Sequence, residues 1–233
     1  MGAIRIGGIE KFSIVDFPNK MAAVVFMQGC PWRCPFCHNT FLQDMAGKTD
    51  IVWNKFVDFL EQRKGVLDAV VFSGGEPLAQ EGLIDAIKEV KSLGYEIGLH
   101  TGGYRPKFFA EVLNLVDWVG FDIKSPLEND RYKDVTGGVA DVDKVLESLK
   151  MLCESGKHFE CRTTCDPRFL SVEDIYIIAD TLKEMGVKEY YLQKYRKVAS
   201  DADTTEGQCM ALVENEKLNE YLRQSFEVFD VRK

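Results

Sequence analysis

The stretch Met21–Asn39, MAAVVFMQGCPWRCPFCHN, joins a short apolar run to three closely spaced cysteines. The run Ala22–Met27 is rich in β-branched and aromatic residues, as the buried strands of parallel sheets are. Cys30, Cys34 and Cys37 follow within a few residues and place three thiols at the end of this predicted strand. Because ligands of parallel α/β proteins bind at the carboxyl ends of the strands, we expect the chemistry of the protein here.

The same alternation of an apolar run and an amphipathic run recurs along the chain. Five further runs have the composition of buried strands: Ala69–Phe72, Ile97–Leu99, Trp118–Phe121, Phe159–Thr163 and Tyr190–Leu192. Five segments have helical periodicity: Val52–Arg63, Glu81–Leu93, Pro106–Val116, Val142–Cys153 and Val172–Met185. Asp141 and Ser171 are predicted N-caps, and Asp174 places Ser171 close to a capping box. Six strands alternating with helices predict an α/β fold with right-handed crossovers, in either an open doubly wound sheet or a partial barrel.

Polar or glycine-rich segments follow most of the predicted strands. These segments are Ser73–Pro77, His100–Gly103, Asp122–Lys124 and Gln193–Arg196. A single Gly-Gly-Glu-Pro segment indicates no more than a turn. Several such segments at the same edge of a sheet, together with three cysteines, predict one binding site.

Length and composition limit the class of protein. The chain has 233 residues with 45% hydrophobic and 28% charged residues, which is ordinary for a globular protein. We expect one domain over residues 1–233, with a core at about residues 20–200 and terminal extensions packed on it. The 29 basic and 37 acidic residues give a net charge of −8, which argues against nonspecific binding of nucleic acid.

The cysteine count and the N-terminal residues predict a reducing location. Seven cysteines are an odd number, and residues 1–10 lack the pattern of a secretory leader. No apolar stretch is long enough to span a bilayer. We therefore expect a cytoplasmic protein, with no membrane partner, whose cysteines stay as thiols.

The three clustered cysteines have three possible roles. A 4Fe–4S cluster normally takes four cysteine thiolates, so Cys30, Cys34 and Cys37 would leave one iron open to a substrate or cofactor. A structural zinc site would need His38 as the fourth ligand, and the second ligand pair at the usual distance is missing. Three inert buried thiols are the third possibility. The spacing favours the cluster and leaves the other two open.

The cysteine motif followed by Gly74-Gly75-Glu76-Pro77 resembles the radical S-adenosylmethionine (SAM) superfamily. Further segments resemble the glycyl-radical-enzyme activating proteins, in particular the anaerobic ribonucleoside-triphosphate reductase type. These segments are Ser13–Pro18, Val25–Cys30, Cys37–Asn39 and Leu192–Arg196. The resemblance extends over most of the chain and implies a partial (β/α)6 barrel.

The resemblance also implies roles for individual residues. Cys30, Cys34 and Cys37 would ligate three irons of a 4Fe–4S cluster, and SAM would chelate the fourth. Gly74, Gly75 and Glu76 would receive its amino group. The other implied cofactor-binding residues are Phe36 at the adenine, Asp122 and Lys124 at the ribose and carboxylate, and His38, Thr101, Arg162 and Arg196 around them.

The implied reaction is the reductive cleavage of SAM to a 5′-deoxyadenosyl radical, which takes a hydrogen atom from a glycine of a partner enzyme. The implied partners are a glycyl radical enzyme, with ribonucleotide reductase expected before a formate-lyase-like enzyme, and a flavodoxin- or ferredoxin-type electron donor. One alternative is a radical SAM enzyme acting on a small molecule, similar to the 7-carboxy-7-deazaguanine synthases, with Thr40 near a magnesium ion. A zinc-binding interaction module is the other alternative.

Two groups of residues carry weaker signals. His100 stands where activating enzymes of the pyruvate formate-lyase type have an aspartate that helps to hold a monovalent cation. This argues against a cation site of that form, although Asp122 would be compatible with one. Four further cysteines, Cys153, Cys161, Cys165 and Cys209, are expected to be buried thiols rather than ligands of a second cluster. The acidic stretch Asp201–Glu206 is expected to be a solvated loop.

Overall fold

A computed structural model describes residues 4–233, and its eight strands form one sheet in which neighbours follow chain order. The strands are Ile6–Ser13 (β1), Ala22–Met27 (β2), Ala69–Gly74 (β3), Glu96–Thr101 (β4), Trp118–Asp122 (β5), His158–Cys165 (β6), Glu189–Lys194 (β7) and Val228–Arg232 (β8). Strand β1 pairs with β2 in antiparallel orientation, and all later neighbours are parallel. Because β1 and β8 are the two edges, the sheet is open, as in a partial barrel.

The six predicted strands are confirmed as β2 to β7, and the two edge strands were not predicted. Strand β1 contains Gly7 and Gly8 and three exposed residues, so it lacks the apolar run of a buried strand. Strand β8, Val-Phe-Asp-Val-Arg, mixes apolar and charged residues and has no fully buried residue. Both edges therefore have the sequence pattern of half-exposed strands, which is weaker than that of the central ones.

Eight α-helices are described within residues 4–233. They are Trp53–Glu61 (α1), Leu83–Ser92 (α2), Pro106–Leu113 (α3), Asn129–Thr136 (α4), Val142–Glu154 (α5), Val172–Glu184 (α6), Glu206–Val213 (α7) and Glu216–Ser225 (α8). The five predicted helices are confirmed as α1, α2, α3, α5 and α6. Helix α4 was missed because most of its residues are polar or charged, which hides its apolar face.

The two predicted N-caps differ in the structure. The Ser171 hydroxyl accepts a hydrogen bond from the backbone N–H of Asp174 at 3.2 Å, and the Asp174 carboxylate accepts one from the backbone N–H of Ser171 at 2.8 Å. This reciprocal pair is a capping box. Asp141 precedes α5 as predicted, but its side chain makes no capping hydrogen bond.

None of the helices described in residues 4–233 has the length and apolar character needed to cross a membrane.

Phe17 fills the inner side of the sheet. It lies on the loop between β1 and β2, is 5% exposed, and packs against Trp118 with the ring centroids 5.3 Å apart. A small inner cluster surrounds the two rings, formed by Ala22, Val24, Ala69, Val71 and, at its edge, Phe26. The β1–β2 loop therefore folds back over the sheet and closes its interior.

The end of β3 lies directly against the end of β2. The backbone N–H of Gly75 donates to Met27 O at 2.9 Å, and that of Glu76 donates to Gly29 O at 3.0 Å. A Cβ on Gly74 would lie 2.3 Å from Met27 N, and one on Gly75 would lie 2.2 Å from Gly29 O. The two backbones approach so closely that there is no room for a side chain at either position, so both residues must be glycine.

We expect Gly74→Ala to destabilise the fold more than Gly94→Ala does. Both glycines have a positive φ, +107° at Gly74 and +95° at Gly94, but a Cβ at Gly94 has nothing within 4 Å. Backbone strain of about 1–3 kcal/mol is common to both variants, and Gly74→Ala adds an overpacking cost of about 1–3 kcal/mol. Chemical denaturation of the two variants measures the difference, and equal losses of unfolding free energy would contradict the close approach.

Candidate active site

One cavity of about 250 Å³ lies at the carboxyl ends of β2 to β6. Twelve of the thirteen residues predicted for the site line it: Cys30, Cys34, Phe36, Cys37, His38, Gly74, Gly75, Glu76, Thr101, Asp122, Lys124 and Arg162. The sheet therefore brings together residues that are more than 130 positions apart in the chain. Their individual roles remain predictions.

Backbone hydrogen bonds hold the cysteine loop at its start and at its middle. Gly29 N donates to Leu42 O at 2.7 Å, and Arg33 N donates to Thr136 O at 2.9 Å. The Arg33 guanidinium also donates to Cys30 O at 2.6 Å. The loop is therefore anchored to the turn that follows it and to the end of α4, which was not predicted.

Burial keeps the Cys30 and Cys34 thiols protonated in the absence of metal. It raises the pKa of Cys30 to about 12, and the Glu76 carboxylate adds to this effect while Lys124 opposes it. Burial also raises the pKa of Cys34, again against the opposing charge of Lys124. A metal that binds these groups must therefore displace their protons.

The donors in the cavity fit an iron–sulfur cluster. Thiolates are soft ligands that suit iron and sulfide, and the described residues place three cysteines on the cavity wall. Within residues 4–233, no three His, Cys, Asp or Glu side chains converge closely enough to hold one ion. A cluster does not require such convergence, because each thiolate binds a different iron. The set leaves one of four irons without a cysteine.

Glu76 joins the ends of two strands through hydrogen bonds. Its carboxylate accepts from the Thr101 hydroxyl at 2.6 Å and from the backbone N–H groups of Gly102 at 2.9 Å and Leu78 at 3.1 Å. Burial raises the pKa of Glu76, and these three donors oppose the shift. An ionised carboxylate has about four acceptor positions, so about one remains for a ligand.

Asp122 lies between two cations. It accepts a hydrogen bond from Arg162 Nε at 2.6 Å, and Lys124 Nζ is 3.5 Å from its other oxygen. Burial favours the neutral form of Asp122, but Arg162 and Lys124 outweigh it and lower the pKa to about 2. The Lys124 ammonium also lies 5.3 Å from the centre of the Trp32 ring. Positive and negative groups therefore alternate along this wall.

His100 is a hydrogen-bonded residue of the strand end. Its Nε2 lies 2.9 Å from the carbonyl oxygen of Asp16, and its Nδ1 lies 3.2 Å from the Ser73 hydroxyl. Since a carbonyl only accepts, Nε2 carries the proton and Nδ1 accepts from Ser73. Burial lowers the pKa of His100 well below its ordinary value, so the ring is neutral and both nitrogens are in use.

Arg196 does not line the same cavity as the other predicted residues. It is exposed, and its guanidinium donates to Lys233 O at 3.1 Å. Arg196 instead lines a second cavity, of about 650 Å³, between the β1–β2 loop and β8. The two cavities share His38, Arg162 and Thr164, so they adjoin.

Sequence reasoning missed several residues of the first cavity. These are Trp32, Asn39, Gln43 and Thr164. The indole N–H of Trp32 is buried and has no hydrogen-bond partner among residues 4–233. A buried indole normally finds a hydrogen-bond acceptor, and this one has none within the described residues. In the sequence, the available signal was the position of Trp32 between Cys30 and Cys34.

The remaining cysteines are core thiols. Cys161, Cys165 and Cys209 are fully buried and Cys153 is half-buried. Burial raises the pKa of all four thiols. The described residues contain no group of these thiols that could hold a metal ion.

The acidic stretch after β7 is buried at Asp201 and Thr204, so the predicted solvated loop is wrong at these two positions. Asp201 is 7% exposed. Its carboxylate accepts from the Tyr195 hydroxyl at 2.9 Å and from Thr204 N at 3.1 Å. Tyr195 in turn lies beside His38, with the ring centroids 6.4 Å apart, so this loop helps to shape the edge of the site.

Comparisons with known proteins identify the family. A family model described as the Radical SAM superfamily matches residues 24–164. The chain is 32% identical to a protein of Methanocaldococcus jannaschii named as a glycyl-radical enzyme activating enzyme, over 82% of this chain and 79% of that protein. It is also 32% identical to the pyruvate formate-lyase-activating enzyme of Clostridium pasteurianum, over 96% of this chain and 98% of that enzyme. The chain therefore belongs to the radical SAM superfamily.

A comparison with solved structures finds a similar fold. SuiB of Streptococcus suis, in a crystal structure with bound S-adenosylmethionine, superposes with a TM-score of 0.67 at 17% identity. The match covers 88% of this chain and 48% of SuiB, so this chain spans about half the length of that protein. The superfamily implies a 4Fe–4S cluster and SAM as cofactors, and the predicted partial barrel is confirmed.

We expect Thr101→Val to destabilise the protein by removing one donor from the buried Glu76. The substitution keeps the branched shape and removes only the hydroxyl. Hydrogen bonds to charged groups contribute about 1.5–3 kcal/mol, and the free energy of unfolding of the metal-free protein should fall by that amount in chemical denaturation.

Thr181→Val is the matched control for this experiment. The Thr181 hydroxyl donates to Ile177 O within α6 at 2.9 Å, near the surface. Its loss should change the unfolding free energy by less than about 0.5 kcal/mol. Similar losses in both variants would contradict the part given to Thr101.

Proposed function

We propose that this protein is a glycyl-radical-enzyme activating enzyme. It would cleave SAM reductively and install a radical on a glycine of a partner protein. The observation that carries the proposal is the single cavity in which three cysteine thiols lie with Glu76, Asp122 and Lys124. The names of the two relatives at 32% identity support the same activity.

Each wall of the cavity suits one part of SAM. Cys30, Cys34 and Cys37 would ligate the cluster. Glu76 has an acceptor position left for the methionyl ammonium group, and Gly74 and Gly75 would bring the backbone close to that group.

The remaining predicted residues would bind SAM or hold those that do. Asp122 and Lys124 offer opposite charges 3.5 Å apart, which suit the ribose hydroxyls and the carboxylate. Thr101 and Arg162 would act through Glu76 and Asp122, to which they are hydrogen-bonded. The exposed His38 would lie at the entrance.

The protein would orient the cofactor and exclude water. A reduced cluster held by the three cysteines would supply the one electron needed to cleave SAM to methionine and a 5′-deoxyadenosyl radical, and this radical would take a hydrogen atom from a glycine Cα. Phe36 and Trp32 are 8% and 3% exposed at the cavity wall. Their rings would keep water away from the reacting atoms, and Phe36 would contact the adenine.

The second cavity would admit the glycine-bearing segment of the partner. It adjoins the first one, and its rim includes Ile14 and Val15, which are 65% and 75% exposed. Exposed apolar residues beside an active-site entrance favour a protein substrate. We propose anaerobic ribonucleotide reductase as the partner and a formate-lyase-like enzyme as the second candidate.

Other features of the proposal rest on the sequence and on chemistry. A flavodoxin- or ferredoxin-type protein would supply the electron, and a cytoplasmic location remains a prediction. The net charge of −8 argues against nucleic acid as a partner. A monovalent cation is not part of the proposal, since both nitrogens of His100 are already engaged.

The alternatives receive less support from the structure. Thr40, the residue offered for magnesium in a small-molecule enzyme, is exposed and is not among the residues that line the cavity. Membership of the superfamily favours an iron–sulfur cluster over a zinc-binding module.

Cys34→Ala should abolish cluster binding and the cleavage of SAM. The wild-type protein, reconstituted without oxygen, should hold about four irons per chain, and the variant should lose the visible absorption of the cluster and form no 5′-deoxyadenosine. Cys153→Ala is the control, because Cys153 lies on α5 away from the cavity; it should keep both properties. A fully active Cys34 variant would refute the ligand assignment, and about eight irons per chain would indicate a second cluster.

The reaction on a partner can be tested by electron paramagnetic resonance. The reduced protein, SAM and purified anaerobic ribonucleotide reductase should give a glycyl-radical signal, because the 5′-deoxyadenosyl radical takes its hydrogen from the partner glycine. A reductase in which that glycine is alanine should give none. A glycyl-radical signal with a formate-lyase-like enzyme and none with the reductase would identify the formate-lyase-like enzyme as the partner instead. Cleavage of SAM without a radical on either partner would contradict the activator function but not the cofactor chemistry.

A further inference from the structure

Strand β8 is joined to the interior of the sheet by an ion pair that passes over β7. The Arg232 guanidinium donates two hydrogen bonds to the Glu160 carboxylate on β6, at 2.5 and 2.7 Å. It also lies over the ring of Tyr191 on β7, 3.9 Å from the ring centroid. The planar guanidinium suits both contacts, since it binds a carboxylate with two parallel N–H groups and stacks on aromatic rings.

Glu160 is a fully buried carboxylate. A buried charge without a partner is strongly unfavourable, so Glu160 must be neutralised by cations inside the sheet. Two guanidinium groups are within reach: Arg232, with its two short hydrogen bonds, and Arg162, whose NH1 is 3.9 Å away. Arg232 therefore provides most of the compensation.

Arg162 lies between two carboxylates. Its Nε donates to Asp122 Oδ1 at 2.6 Å, while its NH1 makes only the longer contact with Glu160. Strand register explains the arrangement, because Arg162 is directly opposite Asp122 and Glu160 is one inward-facing position earlier on the same strand. If Arg232 were absent, Glu160 would compete with Asp122 for Arg162.

We propose that Arg232 is a positioning residue for the cofactor site. By neutralising Glu160, Arg232 leaves Arg162 free to hold Asp122 in place for the ribose and carboxylate of SAM. The inference rests on the proposed function, because it takes Asp122 as a residue that contacts SAM. Arg232 lines the second cavity only, so its effect on SAM is transmitted through three side chains.

Affinity for SAM in the reconstituted, oxidised protein tests the proposal, measured by anaerobic equilibrium dialysis. Arg232→Gln should weaken SAM binding about tenfold, within the usual range of coupling between neighbouring charged residues. Glu160→Gln alone should bind as the wild type does. The double variant Glu160→Gln with Arg232→Gln should recover to within about threefold of the wild type, because Arg162 then has only Asp122 as an acidic partner.

Two further measurements separate positioning from a general loss of structure. Iron content and the thermal midpoint are recorded for each variant, and Arg232→Gln should keep its iron because Arg232 does not line the cavity that contains the cysteines. If Arg232→Gln does not fold, Arg232→Lys replaces it, with about threefold weaker binding expected since lysine keeps the charge but not the paired geometry.

The outcomes are distinct. Recovery of SAM affinity in the double variant supports the proposal. The proposal is overturned if Arg232→Gln binds SAM as tightly as the wild type does, or if Arg232→Lys does so where Arg232→Gln does not fold. It is also overturned if the double variant binds SAM as weakly as Arg232→Gln. Both results leave the proposed function intact. A wild-type protein that holds a cluster but does not bind SAM overturns the proposed function and this inference together.

Discussion

The close approach of two strand ends is the constraint on which the site depends. The backbone of Gly74 and Gly75 lies against that of Met27 and Gly29, with no space for a side chain. Because Cys30 follows Gly29 directly, the same contact sets the distance between the cysteine loop and the loop that carries Glu76. Main-chain hydrogen bonds between the two strand ends thereby join the cysteine wall of the cavity to the wall that carries the Glu76 carboxylate.

Charge compensation is the second feature of the site. Asp122 lies between two groups of opposite charge, and the Glu76 carboxylate accepts three hydrogen bonds. A ligand that carries both an ammonium and a carboxylate group is suited to such walls, since each group can join an existing pair of charges. The polar groups inside the sheet are therefore arranged before any ligand binds, which lowers the cost of binding.

The sequence predicts the central part of this molecule and misses its edges. The strands β2 to β7 are apolar runs, and the cysteines, Glu76 and Asp122 follow those runs directly, so topology alone collects them at one edge. The wrong placement of Arg196 and the failure to predict contacts between distant side chains have a different cause. Contacts such as Arg232 with Glu160 join residues 72 positions apart across an intervening strand, and no local pattern encodes them. The N-cap at Ser171 was predictable because both of its hydrogen bonds are made with Asp174, within one helical turn.

The β1–β2 loop combines opposite surroundings within a few residues. Phe17 is buried against Trp118, and the carbonyl of Asp16 is bound by His100, whereas Ile14 and Val15 project from the surface. Substitutions at positions 14 and 15 would leave the interior packing unchanged. The surface beside the second cavity can therefore change in shape and polarity while the barrel that it borders keeps its packing.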